Sequence, residues 1–86
     1  MKDSGKMPIL ELATSLSASD RKSANHQIDE LLKMFRPKRI IDLLPVIKLR
    51  FSEIVLAVAV ERVGRRKDDL PIDDQVFFAD FMRSLN

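Results

Sequence analysis

The chain holds one histidine, no cysteine and no tyrosine, which removes most of the groups that carry covalent or acid–base chemistry. His26 has Asp29 and Glu30 at helical spacing, the pattern of a surface pair. A catalytic dyad needs in addition a reacting proton within hydrogen-bond reach and a third group that orients the base, and no such set can be assembled. The serines at positions 4, 15, 17, 19, 23, 52 and 84 stand outside any Gly-x-Ser-x-Gly elbow. Gly5 and Gly64 alone do not make a phosphate-cradling loop. Zinc takes Cys and His at fixed spacings, and only His26 is present. Asp68, Asp69, Asp73 and Asp74 form an acidic run without the glycine turn and terminal Glu of a calcium loop, so helix capping and solubility account for it. We therefore expect no catalytic, cofactor-binding or metal-ligating residue and no cofactor. The chain reads as non-enzymatic.

What remains is charge and apolar surface. The formal net charge is +2, distributed as −1 over residues 1–32, +7 over residues 33–67 and −4 over residues 68–86. Two clusters make the middle basic: Arg36, Lys38 and Arg39, then Arg62, Arg65, Arg66 and Lys67. Both follow helical stretches, where the helix macrodipole favours cations in any protein, so the pattern does not require nucleic acid. Phosphate binding through Arg62, Arg65, Arg66 and Lys67 is the alternative reading. The acidic end argues against a duplex, since Asp73, Asp74 and Asp80 would repel it. Those carboxylates together with Phe77 are instead candidates for binding another protein. Asp73 and Asp80 share one helical face, with Asp74 about 100° round the axis. Phe77, Phe78 and Phe81 cannot all be buried from one helix without wide coverage, and a phenylalanine exposed beside acidic residues suits a partner surface, with a snug core or a homodimer as the alternative.

The elements that position these residues follow from periodicity and caps. Pro8 opens a short helix with Ile9, Leu12 and Leu16 on one side. Ser19 begins the next, in which Ile28, Leu31, Leu32 and Phe35 recur at helical spacing until Pro37 ends it. Pro37 starts a short third helix carrying Ile40, Ile41, Leu43 and Leu44, which Pro45 stops. Residues 46–51 alternate with period two, but no second strand exists to pair with them, so we expect a continued helix or an irregular turn. Ser52 caps a helix from Glu53 to Val63, and Gly64 closes it in the left-handed conformation. This helix is apolar nearly all round, so its neighbours or a second subunit must wrap it. Asp73 or Pro71 begins the last helix, which runs to about Leu85 with Phe77, Phe78, Phe81, Met82 and Leu85 as its stripe. The expected architecture is all-α, a compact bundle of four to five helices around the apolar central one. It comprises one domain over residues 8–86, after a disordered stretch over residues 1–7.

The run Phe51-Ser-Glu-Ile-Val55, followed by Gly64, a long turn and Asp73-Asp-Gln-Val76, resembles the extended-turn helix-turn-helix domain of regulators of conjugative mobile elements in proteobacteria. The likeness covers roughly residues 38–86. In DNA-binding members the second helix opens with basic residues, and Asp73 and Asp74 stand in the matching places here. The resemblance therefore implies the QseM-like antiactivators, stand-alone domains with acidic surfaces that bind a transcriptional activator and silence it. The implied partner is a transcription regulator.

Length and composition fit this scale. With 86 residues the chain builds one small core, and a deep cleft would compete with it for apolar side chains. The longest apolar run, Ile54 to Val60, is far short of the ~18 residues of a membrane span, and no signal-peptide pattern precedes it. Without cysteine nothing indicates an oxidising compartment, and the cytoplasm is the expected location.

Overall fold

The computed structural model describes residues 8–85. These form five α-helices: α1 (Ile9–Ser15), α2 (Ala18–Met34), α3 (Ile40–Arg50), α4 (Glu53–Gly64) and α5 (Ile72–Ser84), with one 3-10 turn at Lys67–Asp69. No strand occurs among the described residues, and the chain is an all-helical bundle as its periodicities indicate. The expected disorder of residues 1–7 lies outside the described residues.

The bundle is organised by α4. Ser52 caps it as expected, its Oγ accepting from the backbone N–H of Val55 at 3.4 Å. Every residue from Val55 to Val60 is buried, as is Val63. A helix without a polar stripe has no side to leave in water, and α1, α2 and α3 each lie along it. From α2 come Ala24, Ile28 and Leu31, and from α3 come Ile41, Leu43, Leu44 and Ile47. Ile9 and Leu16 pack against this cluster from either end of α1. The backbone of α5 approaches the other helices at few points, and its aromatic side chains span the gap. The tip of the Phe78 ring lies over Gly64 at the end of α4.

Besides the start of α3 at Ile40 instead of Pro37, three features differ from expectation. The cap of α2 is Ser17 rather than Ser19, with its Oγ accepting from Asp20 N–H at 3.1 Å. Both serines are competent caps, and the one nearer Leu16 is used because Leu16 must reach the core. Gly64 does not leave the helix in a left-handed conformation. It is the last residue of α4, and Arg65 follows in right-handed geometry with its N–H donating to the Glu61 carbonyl at 3.1 Å.

Pro45 is the third. It lies inside α3, which starts at Ile40 after Arg39 and continues to Arg50, instead of stopping at the proline. Proline in a helix interior removes one hydrogen bond and crowds the carbonyl four residues earlier, at a cost of about 3 kcal/mol. Burying apolar side chains on both sides of it offsets that cost, since each fully buried Leu or Ile contributes about 1.5–3 kcal/mol. Leu44 and Ile47 are both fully buried, while Pro45 itself faces solvent. The period-two stretch is thus the end of a helix, in which Ile47 points inward and Leu49 is 80% exposed.

Two outcomes are expected. Val58→Asp should abolish cooperative thermal unfolding followed by circular dichroism, because an unpaired buried carboxylate costs several kcal/mol against a total stability of about 5–10. The same change at exposed Lys22 should leave the melt near that of the parent. Pro45→Ala restores a backbone donor at a solvent-facing position, and it should stabilise the fold by about 1–2 kcal/mol. The melting temperature would then rise by several degrees, and a fall in it would mean that the proline geometry is required.

Candidate functional site

The last helix carries the candidate protein-binding residues. It starts after Pro71, whose carbonyl accepts from Gln75 N–H at 3.0 Å, while Gln75 Nε2 donates to the Leu70 carbonyl at 2.8 Å. At 100° per residue, Phe78, Phe81, Met82 and Leu85 make the inner face, and Ile72, Asp73, Val76 and Asp80 fall opposite. Burial follows this division: Phe78 and Phe81 are buried, whereas Ile72 is 71% and Val76 56% exposed. Phe77 sits at the boundary, 41% exposed, with its ring stacked on Phe81 at a centroid distance of 6.3 Å. Of the two adjacent phenylalanines, Phe77 is therefore the one left to solvent.

The four candidates separate by what they touch. Asp73 is exposed and makes no ion pair among the described residues. Asp80 is exposed and pairs with Arg83 one turn on. Asp74 turns inward, where Arg39 donates to its two carboxylate oxygens at 2.7 and 3.3 Å. Its charge is matched within the fold, so Asp73, Phe77 and Asp80 remain as the outward-facing group. The sequence reading missed Ile72 and Val76. Their spacing of four, on the side opposite Phe78 and Phe81, carries the signal.

The basic candidates divide in the same way. Arg62 turns back along α4 to α2, donating to Asn25 Oδ1 at 3.0 Å and Asp29 Oδ1 at 3.4 Å. Arg65 stands 3.7 Å from Glu61. Arg66 and Lys67 are exposed and have no ion pair among the described residues. Sequence alone kept the two basic helix ends apart, and the fold joins them. Arg39 and Ile40 border one depression with Arg62, Val63, Arg66 and Leu70, and a second with Lys33, Arg36 and Lys38. The floor is apolar and the rim cationic. The connection contains a cis Arg36–Pro37 bond.

Two arginines hold this end of the molecule together. Arg21 of α2 donates to Glu61 at 2.6 Å and also to the Ala13 carbonyl, so one guanidinium links α1, α2 and α4. The Arg21 hydrogen bond holds the Glu61 carboxyl below its usual range. Arg39 bridges Asp42 and Asp74, and its backbone N–H donates to Asp42 Oδ2 at 2.9 Å. The hydrogen bonds from Arg39, first from its side chain, likewise hold the Asp42 carboxyl low. The two carboxylates in turn hold the Arg39 guanidinium above its usual value.

His26 is exposed on α2, and its prospective neighbours Asp29 and Glu30 are engaged by Arg62 and Lys33. Among the described residues no group of three or more His, Asp or Glu could hold a metal ion, and no polar or charged residue is buried. No helix among them is long and apolar enough to cross a membrane. Comparison with family models, characterised proteins and solved structures returns no match. The arrangement offers two outward surfaces, one acidic and apolar on α5, the other basic around an apolar floor.

The depressed carboxyls fix a pH dependence. Glu61 has a folded pKa below its ordinary value near 4.5, so its contribution is present above that value and lost as pH falls through the folded one. Stability should therefore be level near neutrality and decline below about pH 4.5. Glu61→Gln should be less stable at pH 7 and show a shallower acid decline in denaturant titrations. An unchanged acid limb would mean that the Arg21–Glu61 link contributes nothing in solution.

Proposed function

We propose that the protein is a non-catalytic regulatory protein that acts by binding another protein in the cytoplasm, most concretely an antiactivator that occupies a transcription regulator. The observation that carries this reading is the outer face of α5. Two exposed aliphatic side chains, Ile72 and Val76, lie along one side of the Asp73 and Asp80 pair, with Phe77 on the other side of it. Apolar anchors flanked by charge are the composition of a binding surface, in which buried anchors supply affinity and the charges set orientation and encounter rate. The resemblance to the QseM-like antiactivators supports the choice of a transcription regulator as partner.

Nucleic acid is the second reading, favoured by the convergence of Arg36, Lys38 and Arg66 around one pair of depressions. It is weakened by the engagement of Arg62 within the fold and by the acidic α5 beside the same end of the molecule.

The two readings part in one experiment. Tagged parent protein retrieved from its native host should bring down a transcription regulator, identified by mass spectrometry. Changing Asp73 and Asp80 together to Lys should weaken that capture at least tenfold while leaving the fold intact, since opposite charges at the contact become like charges. The phosphate reading requires instead a duplex affinity that drops steeply with salt and on Arg65→Ala with Arg66→Ala. Sequence-specific duplex binding at physiological salt, with regulator capture unaffected by the α5 changes, would overturn the antiactivator reading.

A further inference from the structure

One of the two basic depressions is set apart by its lining. Ile40, Val63 and Leu70 form its floor, Arg39, Arg62 and Arg66 stand around it, and no acidic or aromatic residue takes part. The three guanidiniums differ in the donors they have left. Arg39 commits four hydrogen bonds to Asp42 and Asp74, which hold it in place. Arg62 donates to Asn25 and Asp29 through Nη1 alone, so its Nε and Nη2 have no partner among the described residues. Arg66 is exposed and makes no side-chain hydrogen bond or ion pair among them, which leaves all of its donors open.

We propose that this depression is a docking site for a short acidic segment of a partner protein. One large aliphatic side chain of that segment sits on Ile40, Val63 and Leu70, and a neighbouring carboxylate is received by Arg66 and the open donors of Arg62. Three observations select this occupant. The first is charge, since the lining ionises only as cations and a carboxylate matches the planar fork of a guanidinium two N–H groups at a time. The second is size. At about 270 Å³ the depression is smaller than the about 300–1,000 Å³ pockets that enclose small ligands, so it takes one side chain of a larger molecule and not a whole metabolite. The third is the small number of open cations. Affinity for a nucleic-acid backbone grows with the count of phosphates neutralised, and two of these three arginines are already matched by carboxylates. A single-stranded base would need an aromatic side chain to stack on, and the lining has none. The proposal does not rest on the antiactivator reading, whose evidence is the outer face of α5. No residue of that face lines this depression.

The test uses purified protein, the end-blocked synthetic peptide Glu-Asp-Leu-Leu-Asp-Glu, and amide chemical-shift mapping by NMR, so its failure leaves capture of a regulator through α5 standing. The largest shifts should fall on Ile40, Val63, Arg66 and Leu70 and saturate with a Kd below about 1 mM. Serine in place of both peptide leucines, or amides in place of its carboxylates, should each weaken binding about tenfold or more. Arg66→Glu should weaken it likewise. Lys22→Glu makes the same charge change at an exposed residue outside the depression, and should alter binding less than about twofold. Should Arg66→Glu lose its helical circular-dichroism signal, the shift map and the peptide variants on the parent decide. No saturable shift at about 1 mM peptide overturns the proposal. So do shifts centred on other residues, or a serine peptide that binds as well as the leucine one. Octanoate that displaces the peptide at equal concentration overturns it in favour of a small carboxylate. A single-stranded oligonucleotide that binds the same amides more tightly overturns it in favour of nucleic acid, and shifts of these amides on concentrating the protein alone overturn it in favour of a second copy.

Discussion

One helix without a polar face dictates the arrangement of this chain. From Val55 to Val60 there is no position on α4 at which water is tolerated, and a helix enclosed on all sides needs at least three neighbours. With so few residues, α1, α2 and α3 are all committed to that task. Polarity returns to α4 only in its last turns. There Glu61 and Arg62 bind back to α2, through Arg21 on one side and through Asn25 and Asp29 on the other. The ion pairs around the core thus sit where the apolar run ends, at partly exposed sites where water shares the cost of desolvation.

The parts of this arrangement legible in the sequence are those fixed locally. Ser52 and the unbroken run that follows define α4, and the spacing of Phe78, Phe81 and Leu85 defines the inner face of α5. The errors arise where a distant contact outweighs a local preference. Pro45 was expected to end α3, yet Ile47 is fully buried three residues from the helix end. Gly64 was expected to turn the chain, yet the helix hydrogen bonding continues past it. A cap or a proline states a preference worth a few kcal/mol at most, and a core position can exceed it.

Charge was the least legible property. Spacing places Asp74 and Arg62 near helix ends, but their partners lie 35 and 33 residues away in sequence, and nothing in the pattern encodes those distances. Folding sorts the charges into two kinds. Asp74, Arg39, Glu61, Arg21 and Arg62 are matched within the molecule, whereas Asp73, Arg66 and Lys67 make no ion pair among the described residues. The clusters read from sequence mix both kinds, so a cluster overstates the surface charge that a partner meets. The two basic helix ends, by contrast, understate it when read separately, because only the fold sets them beside two neighbouring depressions that share Arg39 and Ile40.

The way α5 is attached has a consequence for how firmness is distributed along the chain. Its backbone stands off from the bundle, and it is held by the rings of Phe78 and Phe81, the neighbouring Met82 and Leu85, and the Arg39–Asp74 pair. Opening α4 would expose the entire core, while lifting α5 would expose Phe78 and Phe81 with their neighbours and break the Arg39–Asp74 pair. Local opening energies in a folded chain span that kind of range, and elements with few buried contacts lie at its low end. The helix that bears the outward apolar face is thus the one joined to the bundle by side chains more than by backbone proximity, with the Phe78 ring on the end of α4 as its anchor.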